Sequence, residues 1–239
     1  MPDEAPLFDE RAMPLPVAAA SPRDSANDPS GHRKRLRKRL LEGGLEALAD
    51  HEVVELLLTQ AVPRRDMKPL ARSLLQRFGS LSGVLQADPR ALEMHPGMGE
   101  ATTVALQLVR VAATRMAREQ VREAPVIGSW QALIDYLTID MAHLTVERVR
   151  VLYLNARNML ILDDLVGDGS IDEAAIHPRE VIRRALDIGA TALILVHNHP
   201  SGDPDPSQAD RRLTATLQAA LNLVDVRTLD HIIVGTEGC

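Results

Sequence analysis

Between residues 31 and 123 the apolar positions recur at three- and four-residue intervals, the period of a helix that buries one face. Arg33 to Leu41 opens this region as a helix, and Asp50 stands where it can cap a second one carrying Val53, Val54, Leu56, Leu57 and Leu58. Leu70, Leu74 and Leu75 form the stripe of a further helix from Met67 to Phe78, with Gly79 as its stop. Asp88-Pro89 has the order of an N-cap followed by a first helical residue, for a short helix ending near His95. The turn Pro96-Gly97-Met98-Gly99 then leads into a long helix through Val104, Leu108 and Val109 to about Arg122.

Past Pro125 and a helix around Trp130 to Leu137, alternation and β-branched runs replace helical spacing. Val149 to Leu154 predicts a strand, Asn155 to Asn158 a turn, and Met159 to Val166 the returning strand of a hairpin. His177-Pro178 opens a helix with Val181, Ile182, Ala185 and Leu186 facing inward, closed by Gly189. Leu193 to Val196 is an unbroken apolar run, as a strand covered on both faces requires. A helix from Ser207 to Leu221 and a strand from Leu229 to Val234 complete an α/β domain with a mixed sheet. Residues 1–30, rich in Pro, Ala, Ser and Asp and without periodicity, are expected to be a disordered tail. The expected organisation is that tail, a small all-α domain over 31–123 and an α/β domain over 128–239.

Charge separates the two domains further. Residues 31–123 carry 16 Lys and Arg against 11 Asp and Glu, and residues 124–239 carry 9 against 16. A basic module joined to an acidic one points to a polyanion partner for the first and a different task for the second. Six of the seven residues 33–39 are basic, and the glycines of 96–99 let a backbone approach a phosphate closely. With two Phe, two Tyr and one Trp, the chain offers few platforms for base stacking, so any DNA contact through 33–39 and 96–99 should be sequence-independent. No run is long and apolar enough for a membrane helix, and Met1 to Asp24 does not have the form of a signal peptide, so the expected location is the cytoplasm. The single cysteine, Cys239, excludes a disulfide framework or a Cys-based zinc ribbon. Any metal must be held by His, Asp or Glu.

The residues that could do so are concentrated in His197-Asn198-His199-Pro200, which follows the buried strand, and in Ser207-Gln208-Ala209-Asp210. Alternate residues of an extended segment share a face at about 6 to 7 Å, so two imidazoles can converge on one ion. Three prolines and a glycine between Pro200 and Pro206 stiffen the loop that returns the chain to that point. Ser207 then has the position of an N-cap, and Asp210 projects from the first helical turn. Two His and one carboxylate leave a coordination position open, the pattern of a catalytic zinc site. A lone His-x-His is usually not a ligand pair and Ser-x-x-Asp is usually only a cap; it is the combination that carries the reading.

That combination resembles the JAMM motif of MPN-domain isopeptidases: a Glu, then His-x-His-Pro, then Ser-x-x-Asp. More widely, residues 31–239 are similar to the bacterial RadC family, in which a helix-hairpin-helix module precedes such a domain. The residues that carry this are 41–48 (LEGGLEAL), 96–99 (PGMG), 178–181 (PREV), 197–204 (HNHPSGDP) and 230–235 (DHIIVG). The resemblance implies an MPN/JAMM domain with cytidine-deaminase-like layering. It implies Zn2+ held by His197, His199 and Asp210, Glu147 as general acid/base and Ser207 as hydrogen-bonding partner of the reacting oxygen. It implies hydrolysis of an unidentified peptide or isopeptide bond, or, as the alternative, a DNA-repair or recombination accessory whose main activity is nucleic-acid binding. Family members usually continue past Gly235 into a further strand, so either the sheet lacks that edge strand here or the sequence is truncated.

Other candidates read as structural. His231 is expected to be satisfied by Asp230, His177 to cap its helix, and Cys239 to be no nucleophile. A zinc deaminase would need His-x-Glu with Pro-Cys-x-x-Cys, and neither is present.

Overall fold

The structure, a computed structural model, describes residues 29–169, 176–236 and 239. The expected tail over 1–30 falls outside the described residues except for its last two, which begin α1 (Pro29–Gly43). The chain divides into two compact units after Ala47, and the first holds α1 and a short 3-10 turn, Leu45–Ala47.

The second unit opens with α2 (Asp50–Ala61), α3 (Lys68–Phe78), α4 (Leu81–Gln86), α5 (Pro89–Glu93) and α6 (Glu100–Glu123). Asp50 lies inside α2 rather than capping it; Ala49 is the N-cap, and the Glu52 carboxylate accepts its N–H at 3.0 Å. The Asp88 expectation holds, with Oδ1 accepting from Arg90 and Ala91 N–H. Helix α4 was not marked by periodicity; Ser80 Oγ starts it by accepting from Gly83 N–H. Val54, Leu58, Leu70, Leu74, Val84, Leu92 and Leu106 close one core. On α6 Val104 and Leu108 are exposed, and Thr103, Leu106, Ala117 and Val121 are buried. Ala117 and Val121 reach a second core, formed with α7 (Trp130–Met141) and one face of the sheet.

That sheet has strand order β2-β1-β3-β4, with β1 (Arg148–Leu154), β2 (Leu160–Asp168), β3 (Ala192–Asn198) and β4 (Arg227–Val234). β1 is antiparallel to β2 and β3, and β3 is parallel to β4, so the sheet is mixed as the sequence predicts. Among the described residues β4 is an edge. Leu152, Leu154, Ile194 and Val196 face α7, while Val149, Val151, Tyr153, Leu193 and Leu195 face α8 (Pro178–Asp187) and α9 (Gln208–Asn222). Every residue of β3 is buried, which explains its continuous apolar run. On α8, Val181 and Ala185 are buried as expected, but Leu186 is exposed, and His177 occupies the N-cap position without a side-chain cap bond. A buried ion network ties α6 and α7 to the hairpin. Asp163 accepts from the Tyr136 hydroxyl and from Arg150 Nε at 2.8 Å, with Arg118 Nε at 3.8 Å.

Candidate metal centre

β3 runs into the interior with apolar side chains on both faces and ends in His197 and Asn198, both buried. Because β1 pairs antiparallel with β3 through Val149 and His197, the residue two before Val149 comes beside the His-x-His segment. That residue is Glu147, immediately ahead of β1 rather than within it. From the other side, α9 delivers Asp210. Ser207 caps that helix: its Oγ accepts from Asp210 N–H at 3.2 Å, and its own N–H donates to Asp210 Oδ2 at 2.7 Å. The cap thus holds Asp210 in place while leaving the exposed Ser207 hydroxyl its proton to donate.

Glu147, His197, His199 and Asp210 each offer one ligand atom, and these atoms lie within 4.8 Å of one another. His197 Nε2 lies 2.9 Å from His199 Nε2, 3.2 Å from Asp210 Oδ1 and 3.8 Å from Glu147 Oε1; His199 Nε2 lies 3.5 Å from Asp210 Oδ2. The donor set fits a divalent cation. His199 Nδ1 lies 2.7 Å from the Asp203 carbonyl, which can only accept, so the proton sits there and Nε2 is a bare lone pair. Asp210 Oδ1 is buried with no hydrogen-bond partner and lies 3.2 Å from His197 Nε2.

Electrostatics keep the candidate ligands ready. Burial and the neighbouring His231 lower the pKa of His197, and burial lowers that of His231 to about 4, so both rings are neutral at neutral pH. Burial opposes ionisation of Asp210, but hydrogen bonding with Ser207 overcomes it and holds the carboxyl below its ordinary value. These shifts predict the acid behaviour of the metal-free protein. With folded-state values below the ordinary 6.5, the unfolded chain takes up the histidine protons first as pH falls. His143, lowered to about 4 by burial and by Arg110, adds to the same slope. Stability should therefore decline from about pH 6.5 towards about pH 4, as read by thermal denaturation in chelator. A melting temperature that does not fall over that interval would contradict the assignment.

Asn198 and Thr214 escaped the sequence reading, and His231 has other partners than the one expected. Asn198, between the two histidines, accepts Arg148 N–H on Oδ1 at 2.9 Å and directs Nδ2 at the carbonyls of Val146 and Leu144, at 3.2 and 3.4 Å. It fastens the segment that carries Glu147 to the strand that carries the histidines. His231 is not satisfied by Asp230 as expected, since Asp230 Oδ1 accepts its backbone N–H. Its ring instead spans His197 and Thr214. The available signal was a polar residue at each of these positions on otherwise apolar faces.

Residues 127–239 match the RadC-like JAB domain family, and residues 30–104 match the UPF0758 N-terminal family. A UPF0758 protein of Rhodobacter capsulatus is 49% identical over 200 residues, spanning 84% of this chain and 94% of its own. The chain belongs to the RadC/UPF0758 family. A second member, from Ruegeria pomeroyi, is 48% identical over 204 residues, 85% of this chain and 91% of its own. Membership agrees with the mixed α/β fold and gives the His/Asp/Glu cluster its context, a JAB-type domain whose candidate metal site lies at the ends of β1 and β3. Among the described residues of this family member no helix is long and apolar enough to cross a membrane.

Proposed function

We propose that the protein is a zinc-dependent hydrolase of JAMM type acting on a peptide or isopeptide amide bond. The observation that carries this is the convergence of two imidazole nitrogens, a buried carboxylate with an unpartnered oxygen and Glu147 within 4.8 Å. His197, His199 and Asp210 would hold the ion, three protein ligands of the kind that leave a coordination position open. Bound there, zinc supplies Lewis-acid activation of water at neutral pH. Glu147, beside the ligands but partly open to solvent, takes a proton from the attacking water and hands it to the leaving nitrogen. Ser207 donates its hydroxyl proton to the carbonyl oxygen as charge develops there. Elemental analysis of the purified chain, joined to hydrolysis assays on peptide and isopeptide substrates, tests the reading. A chain that neither retains nor takes up zinc would overturn it.

A second reading, sequence-independent DNA binding in a repair or recombination accessory role, is favoured by charge. Lys34, Arg35, Arg37, Lys38 and Arg39 are exposed on α1, and in the other unit Arg64 and Arg65 are exposed near the Gly97 turn. Gly97 has φ 92, where an L side chain is strained, which suits a turn that presents backbone. Duplex affinity of the full chain should fall steeply between about 50 and 200 mM salt, without sequence preference, and weaken in the double variant Arg35→Glu, Arg37→Glu. No binding at low salt would remove this reading.

A further inference from the structure

The stripe of α9 that faces the sheet is apolar at Leu217 and Leu221 and turns polar one and two turns earlier, at Thr214 and Asp210. There it meets His231, which pairs with Leu195 in the β3–β4 register and so shares the α9 face with His197. Three short contacts result. The Thr214 hydroxyl lies 2.7 Å from the Asp210 carbonyl and 2.6 Å from His231 Nδ1, and His231 Nε2 lies 2.8 Å from His197 Nδ1.

For uncharged rings, one placement of protons satisfies all three. The Asp210 carbonyl can only accept, so the single Thr214 hydroxyl proton goes to it. The Thr214 oxygen must then accept from His231 Nδ1–H. A neutral His231 with its proton on Nδ1 has a lone pair on Nε2, which accepts from His197 Nδ1–H. That leaves His197 Nε2 without a proton, facing His199 and Asp210.

We infer that Thr214 and His231 form a positioning relay that fixes the Nδ1–H tautomer of His197 and so presents its Nε2 lone pair to a metal ion. The inference rests on His197 being a ligand, as proposed above. The relay begins on the backbone of Asp210 and ends on the ring of His197, so it joins two members of the cluster through β4. Thr214 and His231 are not ligands themselves. Their effect is on which nitrogen of His197 carries the proton, the function that partners of metal-bound histidines commonly serve.

Thr214→Val keeps the shape and removes the acceptor. His231 Nδ1–H would then face a methyl group, so the proton moves to Nε2 and donates to His197 Nδ1, driving the His197 proton onto Nε2. Thr214→Ser restores the relay. In the full chain, zinc affinity measured by competition with a chelator should fall about 10- to 100-fold in Thr214→Val and stay within a few-fold of the parent in Thr214→Ser. Nitrogen-15 shifts of the metal-free parent and Thr214→Ser should show His197 protonated on Nδ1, and those of Thr214→Val a shift towards Nε2. The tautomer readout needs neither metal nor substrate, so it tests the relay even where the hydrolase reading fails. The inference is overturned if the metal-free parent carries the His197 proton on Nε2, if Thr214→Val leaves tautomer and affinity unchanged, or if Thr214→Ser is as impaired as Thr214→Val.

Discussion

Glu147→Gln is expected to retain zinc and lose hydrolysis by roughly 100-fold to 10,000-fold, the usual contribution of general acid–base catalysis. The substitution preserves size and hydrogen-bonding capacity and removes the group that can exchange a proton. Zinc should remain because Glu147 Oε1 is the most distant of the four candidate groups from His197 Nε2, at 3.8 Å, and the other three suffice for a catalytic site. The fold should remain as well, because Asn198 fastens this segment through the backbone of Arg148, Val146 and Leu144 and not through the Glu147 side chain. Turnover and metal content measured on the same preparation separate the two roles. Full activity in Glu147→Gln would exclude it as the proton carrier, and loss of zinc would make it a ligand instead.

His199→Ala should reduce zinc from about one per chain to a small fraction of that, as read by elemental analysis after dialysis. Of the ligand set it gives the cleanest experiment. Its ring is partly open, at 16% side-chain exposure, whereas His197 and Asp210 are buried and hold other groups in place. His197→Ala would leave His231 Nε2 without its donor, and removing the Asp210 carboxylate would break the reciprocal cap with Ser207. In either case metal loss and unfolding would be confounded. His199 makes one other contact, to the Asp203 carbonyl within its own loop, so its removal should change the melting temperature of the metal-free protein little. Unchanged zinc content in His199→Ala would refute the ligand assignment.

Much of the candidate centre is legible in the chain because its parts are local. His197 and His199 share one strand end, Pro200 to Pro206 stiffen one loop, and Ser207 and Asp210 form one helical turn, so spacing alone predicts that three ligands can converge. The two buried faces of β3 are legible for the same reason, since an unbroken apolar run tolerates no wet side. Helix orientation was less so. Val104, Leu108 and Leu186 fit helical periods and yet face outward, because periodicity says that a face is buried but several faces of an alanine- and valine-rich helix such as α6 qualify.

What the tertiary structure alone decided are the groups that meet across long separations. Glu147 comes beside the histidines because β1 is antiparallel to β3 in one register; a shift of one residue would turn its side chain to the other face. His231 reaches His197 because β4 lies parallel to β3, which leaves its ring, rather than its backbone, to bridge the metal cluster and α9. Asp163 collects Tyr136, Arg118 and Arg150 from three other elements into one buried network. Sequence spacing determines which side chains one segment offers together. Strand register and helix packing decide which segments they face, and a proton relay exists only once both are fixed.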